Sequence, residues 1–387
     1  MKKSTYLSRV CLTIVVLYIS IIGRLIGQNS VDSSTPWKED LTAVPALQEA
    51  VDFALNHEYS GSRDLRQAIY KGFQREPYHE IKGKTKKRGG PAGMIIHRGQ
   101  LLAAWGNTKR VDMTFSVTKS YLSTVAGLAI DHGLIKSVDD AVADYVWDGT
   151  FDGEHNRSIT WRHLLTQSSD WTGQLWGGYD WADRPEREGG IDDWKLRELH
   201  PPGTNFEYND VRVNVLAYAL LQVWRRPLPE VIKDHIMDPI KASTTWRWYG
   251  YEDSWTDIDG QMMQSVSGGG HSGGGLFIST EDHAKFGMLF LNNGSWEDRQ
   301  LISPKWIKDA CTPSAANRSY GYMWWLNPDG DNQNRMSNLS PTGYYAAGFG
   351  GNYIIIEPED DLLIVTRWLE PSSANEFLGI VKEVLTK

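Results

Sequence analysis

Strand-like apolar runs stand near both ends of this chain, with a long stretch between them that lacks such runs. Met94–His97 and Leu101–Trp105 are joined by Arg98-Gly99-Gln100, where Gly99 supplies the positive φ of a tight hairpin turn. Tyr353–Ile356 and Leu362–Trp368 are joined across Pro358-Glu359-Asp360. An isolated two-stranded hairpin is marginal in water, so the two hairpins are expected to complete one antiparallel sheet. The intervening chain then becomes an insertion, and the cleft between sheet and insertion is the expected site of function.

The periodicity predicts helices at 43–56, 63–75 and Thr280–Asn292, and a closing helix whose buried face carries Ala374, Phe377, Leu378, Val381 and Leu385. Ser116–Gly133 reads as a helix with Tyr121, Val125, Leu128 and Ala129 on one face and Gly133 as its stop. From Val138 to about Trp248 the pattern is helical segments and loops, including Trp161–Thr166 and Val211–Trp224. The predicted class is α+β. An antiparallel sheet subdomain (about 40–115 and 266–387) is flanked by helices, with an all-helical insertion subdomain (about 116–265). A chain of 387 residues is long enough for this.

Met1–Arg9 carries Lys2, Lys3 and Arg9, and Val10–Gly23 is apolar but shorter than the roughly 20 residues of a spanning helix. Residues 1–27 are therefore expected to be a secretory signal peptide or, if uncleaved, an N-terminal membrane tether. The protein is expected to be exported, either periplasmic or secreted. Cys11 and Cys311 are the only cysteines, and losing Cys11 with the leader leaves no intrachain disulfide and no cysteine metal cluster. The net charge of −8 offers no basic field for nucleic acid, and the basic run from Lys82 to Arg88 is read as a solvated loop.

Ser116-Val117-Thr118-Lys119 is the one S-x-x-K in the chain, at a loop-to-helix junction that puts both side chains on one face. A serine hydroxyl needs a base before it attacks, and the helix start offers N–H donors where an oxyanion would form. Tyr208 sits in a polar loop just before an apolar helix and can relay a proton if it reaches Ser116 and Lys119. Tyr345–Asn352 is rich in small residues that let a substrate approach backbone N–H groups.

The order and flanks of these motifs resemble the serine β-lactamase and penicillin-binding-protein superfamily, in particular its class C β-lactamase and esterase branch. The resemblance spans Gly93 to Trp368. It rests on Phe115–Ser120, on Ile159–Thr166 and on Gly274–Asp282. It implies an acyl-enzyme mechanism with Ser116 as nucleophile, Lys119 and Tyr208 as the proton-handling pair, and the N–H groups of Ser116 and Phe349 as oxyanion hole. Two departures stand out. The family's Tyr-x-Asn reads Tyr208-Asn209-Asp210, and its third motif, which usually opens with Lys or His, reads Ala346-Ala347-Gly348. Asp210 would stabilise the Lys119 ammonium and favour Tyr208 as the immediate base.

The expected substrate is a small ester or amide, bound by Asp210, Ala346, Ala347, Gly348, His271 and Trp176, with no metal or organic cofactor implied. The alternatives are a β-lactamase or D-Ala-D-Ala peptidase, and a non-catalytic binding protein on the same fold. Gly268–Gly273 fits G-x-G-x-x-G, but a strand-like run follows it rather than a helix, so it reads as a wall of the cleft rather than a dinucleotide site.

Overall fold

The computed structural model describes residues 37–39, 44–186, 188–329 and 336–386. The leader assigned to 1–27 lies outside these residues; among those described, no helix is long and apolar enough to cross a membrane. The principal sheet has seven strands in the order Lys38–Glu39, Gln100–Trp105, Ala92–His97, Leu362–Arg367, Asn352–Glu357, Tyr344–Gly348, Trp325–Leu326. Its seam joins the two ends of the chain, with Leu362 opposite His97 and Arg367 opposite Ala92. The first hairpin turns through Arg98 and Gly99, both at positive φ (51° and 70°), as a two-residue turn requires.

Strict alternation splits the sheet between two cores. Ile354, Ile356, Leu363 and Val365 face the helices Thr118–Asp131 and Thr280–Leu291. Ile355, Leu362 and Ile364 face Val44–Asn56 and Ala374–Thr386, where Leu47, Ala50, Phe377, Leu378 and Val381 cover them. Helices therefore lie on both faces of a sheet assembled from both ends of the chain, which is the expected α+β architecture.

Two stretches of the span read as all-helical are β-structure, a short hairpin that pairs Gln174–Leu175 with Gly178–Tyr179 and a longer one near its end. Arg247–Ile258 and Gln261–Val266 form a long hairpin that joins Gly275–Ile278 and Asp112–Met113 in a second, four-stranded sheet. Its alternation is hidden by a register shift between Gly250 and Trp255, where Ser254 Oγ donates to the Tyr251 and Ser265 carbonyls. The readable sign was the Asp259-Gly260 turn, whose φ angles of 58° and 80° suit a two-residue hairpin. The basic run is also not simply solvated. Arg88 is 3% exposed, paired with Glu58 at 2.7 Å and bonded to the carbonyls of Tyr59 and Gly61, while Lys82 and Lys86 reach those of Trp176 and Val111.

Arg367 ties the sheets together: it donates to the carbonyls of Ile278 and Met113 in the second sheet and to Asn352 in the first. Burial holds its pKa down at about 10. This junction sets the end of the Tyr344–Gly348 strand against the turn that carries Ser116.

Candidate active site

Ser116 lies in a single turn, Phe115–Val117, that runs into the Thr118–Asp131 helix. Phe115 holds a positive φ of 52°, an uncommon conformation for a non-glycine residue, and its ring is locked against Phe349 and Trp368. Lys119 projects from the same helix face, and its Nζ donates to Ser116 Oγ at 2.9 Å and to Asp210 Oδ1 at 2.6 Å. Both Lys119 and Asp210 are buried.

Tyr208 is held by its backbone neighbours. The N–H of Glu207 donates to the Gln167 carbonyl and the N–H of Asn209 to Gln167 Oε1, each at 2.9 Å. Its ring stacks on Trp325, with centroids 5.8 Å apart, and lies 4.7 Å from the Lys119 ammonium. Among the described residues its hydroxyl makes no hydrogen bond to Ser116 or Lys119, and its contact with the site in this structure is that of the ring with the Lys119 ammonium.

Gly348 ends its strand against the nucleophile. A Cβ there would stand 2.1 Å from the Thr114 carbonyl oxygen and 3.3 Å from Ser116 N, so only glycine permits the approach. Neither Ser116 N–H nor Phe349 N–H is taken by a backbone acceptor among the described residues, which leaves two donors beside this junction. Ala346 is 1% exposed and belongs to the core under the sheet, so its side chain does not line the cleft. Ala347 and Gly348 are half-buried at the strand's end.

Asp210 begins the Asp210–Trp224 helix. Its N–H donates to the Asp183 carboxylate, and its Oδ2 lies 2.6 Å from Arg184 Nη2, close but not aligned as a hydrogen bond. Burial would raise the Asp210 pKa, yet Lys119, Arg184 and His271 outweigh it and hold the carboxyl well below its ordinary range. Burial likewise works against charge on Lys119, but the Asp210 carboxylate and Tyr208 push its pKa above the ordinary lysine value. Lys119 is therefore an ammonium in the resting protein.

His271 is 7% exposed and stands behind Asp210, with Nδ1 3.2 Å from Arg184 Nη2 and Nε2 2.6 Å from Glu76 Oε2. The structure thus engages it with charged neighbours inside the protein. Trp176 lines a recess beside Asp210 with Glu76, His79 and Tyr179, and its ring meets Tyr218 edge-on.

The sequence reading missed Asp183, Arg184 and Gln167, while the glycine-rich run it read as a wall of the cleft does stand at the site through Gly269. A Cβ on Gly269 would fall 1.8 Å from Asp210 Oδ1 and 2.4 Å from Lys119 Nζ, so the glycine-rich run is a wall pressed against the ion pair. One signal was available: a carboxylate opening the apolar helix at 210 calls for counter-charges, and Arg184 follows an aromatic loop that offers one.

The family model for Beta-lactamase matches residues 79–367, well over half of the chain. Two curated relatives illustrate the range. A 6-aminohexanoate-dimer hydrolase of Paenarthrobacter ureafaciens is 21% identical over 86% of this chain and 78% of its own length. A provisionally assigned D-alanyl-D-alanine carboxypeptidase of Escherichia coli O157:H7 is 25% identical over 45% of this chain, which spans about half (47%) of that relative's length. Among solved structures, a hydrolase with promiscuous acyltransferase activity is similar at TM-score 0.58 and 14% identity, covering 88% of this chain and 99% of that one. A β-lactamase of Mycobacterium bovis is similar at TM-score 0.54 and 18% identity, covering 76% of this chain and 94% of its own. These structural likenesses concern the fold alone.

Proposed function

Because this chain belongs to the β-lactamase family of serine hydrolases, we propose that it cleaves an ester or amide through an acyl-Ser116 intermediate. The observation that carries this reading is the contact of a buried lysine ammonium with Ser116 Oγ at 2.9 Å, beside two N–H groups that no backbone acceptor takes among the described residues. Ser116 Oγ bonds to the substrate's carbonyl carbon and its proton leaves toward Tyr208. The N–H groups of Ser116 and Phe349 receive the oxyanion. Tyr208 returns the proton to the leaving group, and water then releases the acyl group from Ser116.

Lys119, held as an ammonium by Asp210, acts in this scheme as a donor that stabilises the developing alkoxide. Ala346 supplies no cation for a substrate carboxylate, which favours simple esters or amides over β-lactams or D-Ala-D-Ala peptides. The leader at 1–27 directs export in the same proposal; fractionation of cells expressing the full chain, with the protein recovered outside the cytoplasm, is the check.

The first test is peptide mapping after exposure to a fluorophosphonate. A single adduct on Ser116, absent in Ser116→Ala, is the expected result, followed by turnover of short acyl esters in preference to a chromogenic cephalosporin. A folded protein that takes no adduct would instead be a non-catalytic binding protein on this fold.

A further inference from the structure

Asp210 is a carboxylate where the resembling enzymes carry asparagine, and it meets the Lys119 ammonium directly. A carboxylate so placed invites the lysine proton onto itself, which would remove the positive charge beside Ser116. The structure contains a device against this. Asp183 receives the Asp210 N–H with one oxygen and Arg184 Nη1 with the other, so a single carboxylate holds both the backbone of residue 210 and the guanidinium that faces its side chain. Arg184 Nη2 then lies 2.6 Å from Asp210 Oδ2 and 3.2 Å from His271 Nδ1, while Glu76 fixes the far side of that imidazole at 2.6 Å.

Every element around Asp210 contributes a charged or titratable group: Lys119 from its helix, Asp183 and Arg184 from the loop, His271 from the glycine-rich run, Tyr251 from the second sheet and Tyr208 from its own loop, with Glu76 behind His271. Of these, Arg184 alone combines the contact to Oδ2 with an approach to the reacting groups. Its guanidinium carbon lies 5.2 Å from the Tyr208 ring centroid and 5.5 Å from that of Phe73, and its side chain is 30% exposed at the cleft edge.

We infer that Arg184 is a positioning residue that acts through Asp210. By facing Oδ2 it keeps Asp210 from taking the Lys119 proton, so that Lys119 remains a donor to Ser116 Oγ and the serine proton leaves toward Tyr208. The inference rests on the acyl-Ser116 reading. The proton balance is simple: the Ser116 O–H bond breaks as Oγ bonds to the acyl carbon, and Tyr208 takes that proton as it gives its own to the leaving group. Arg184 and Asp210 gain and lose none.

The test is the rate of fluorophosphonate labelling of Ser116 against pH in the wild type, Arg184→Met, Arg184→Lys, Asp210→Asn and the Asp210→Asn/Arg184→Met double variant, each checked for thermal unfolding. Arg184→Met is expected to slow labelling about tenfold at neutral pH and to move the acid limb of the profile to higher pH, because Asp210 then protonates more readily. Arg184→Lys should restore most of the rate, and it carries the test if the methionine variant does not fold. In the Asp210→Asn background, Arg184→Met should change little, since the group through which it acts is gone. A methionine variant with the wild-type rate and midpoint, or one whose effect is undiminished in the Asp210→Asn background, overturns the assignment of Arg184. A wild type that takes no adduct on Ser116 overturns the acyl-serine reading itself, and this inference with it.

Discussion

Two buried ion networks grow from the first turn of the Asp210–Trp224 helix, two residues apart, and they are built differently. Around Arg212, 2% exposed, the donors are closed off: Nε to the Trp171 carbonyl at 3.0 Å, Nη1 to Glu207 at 2.8 Å and Nη2 to Asp170 at 2.7 Å, with Arg197 pairing both Asp170 and Asp180. Around Asp210 the network is open: Oδ2 has a cation beside it without hydrogen-bond alignment, Lys119 reaches a serine, and Arg184 meets the cleft. A closed network spends its polar groups on holding a loop, whereas an open one leaves a donor for a reacting atom.

The largest expected effect separates them by activity. Lys119→Met should lower Ser116 labelling by about 10²–10⁴-fold, while Arg184 and His271 still face Asp210 and the fold persists. Arg212→Met should do the reverse, costing about 1–3 kcal/mol in chemical denaturation because Asp170 and Asp180 keep Arg197 but lose the buried Arg212 donors, with the labelling rate of the folded fraction unchanged. Loss of labelling in a folded Arg212→Met protein would show that the two networks act as one.

Gly348→Ala tests the junction between strand and nucleophile. The added methyl meets the Thr114 carbonyl, and the expected cost is about 1–3 kcal/mol in thermal or chemical unfolding, with slower labelling of the protein that remains folded. Acid sharpens the contrast at the smallest scale. Burial would raise the Glu76 pKa, but hydrogen bonds from His271 and His79 with the Arg184 charge bring it from 4.5 down to about 2. A carboxylate so depressed contributes stability that is fully present above pH 4.5 and is lost as the pH falls toward about 2. Glu76→Gln should therefore flatten the acid-unfolding slope in that window by about 1–3 kcal/mol, and an unchanged slope would count against the His271–Glu76 contact.

The parts of the fold that were legible follow local rules. The hairpin at Arg98-Gly99 and the five-pair hairpin that joins Asn352–Glu357 to Leu362–Arg367 were marked by turn residues and apolar runs. The hairpin from Arg247 to Val266 was hidden because its register slips at Ser254, which breaks the period that reveals a strand. Ala346 shows the same limit at the site: the motif could be located, but not that its side chain points into the core under the sheet.

The sequence alone determined that one sheet closes from both ends of the chain, and that Ser116 and Lys119 share a helix face. Both follow from spacing along a regular element, where backbone geometry dictates which side chains meet. Only the tertiary structure decided that Asp183 and Arg184 meet Asp210, that Glu76 braces His271 and that Gly269 presses on the Lys119–Asp210 pair. Those contacts join loops far apart in the chain, and charge attracts any opposite charge. Which carboxylate each cation finds is therefore set by where packing places the loops.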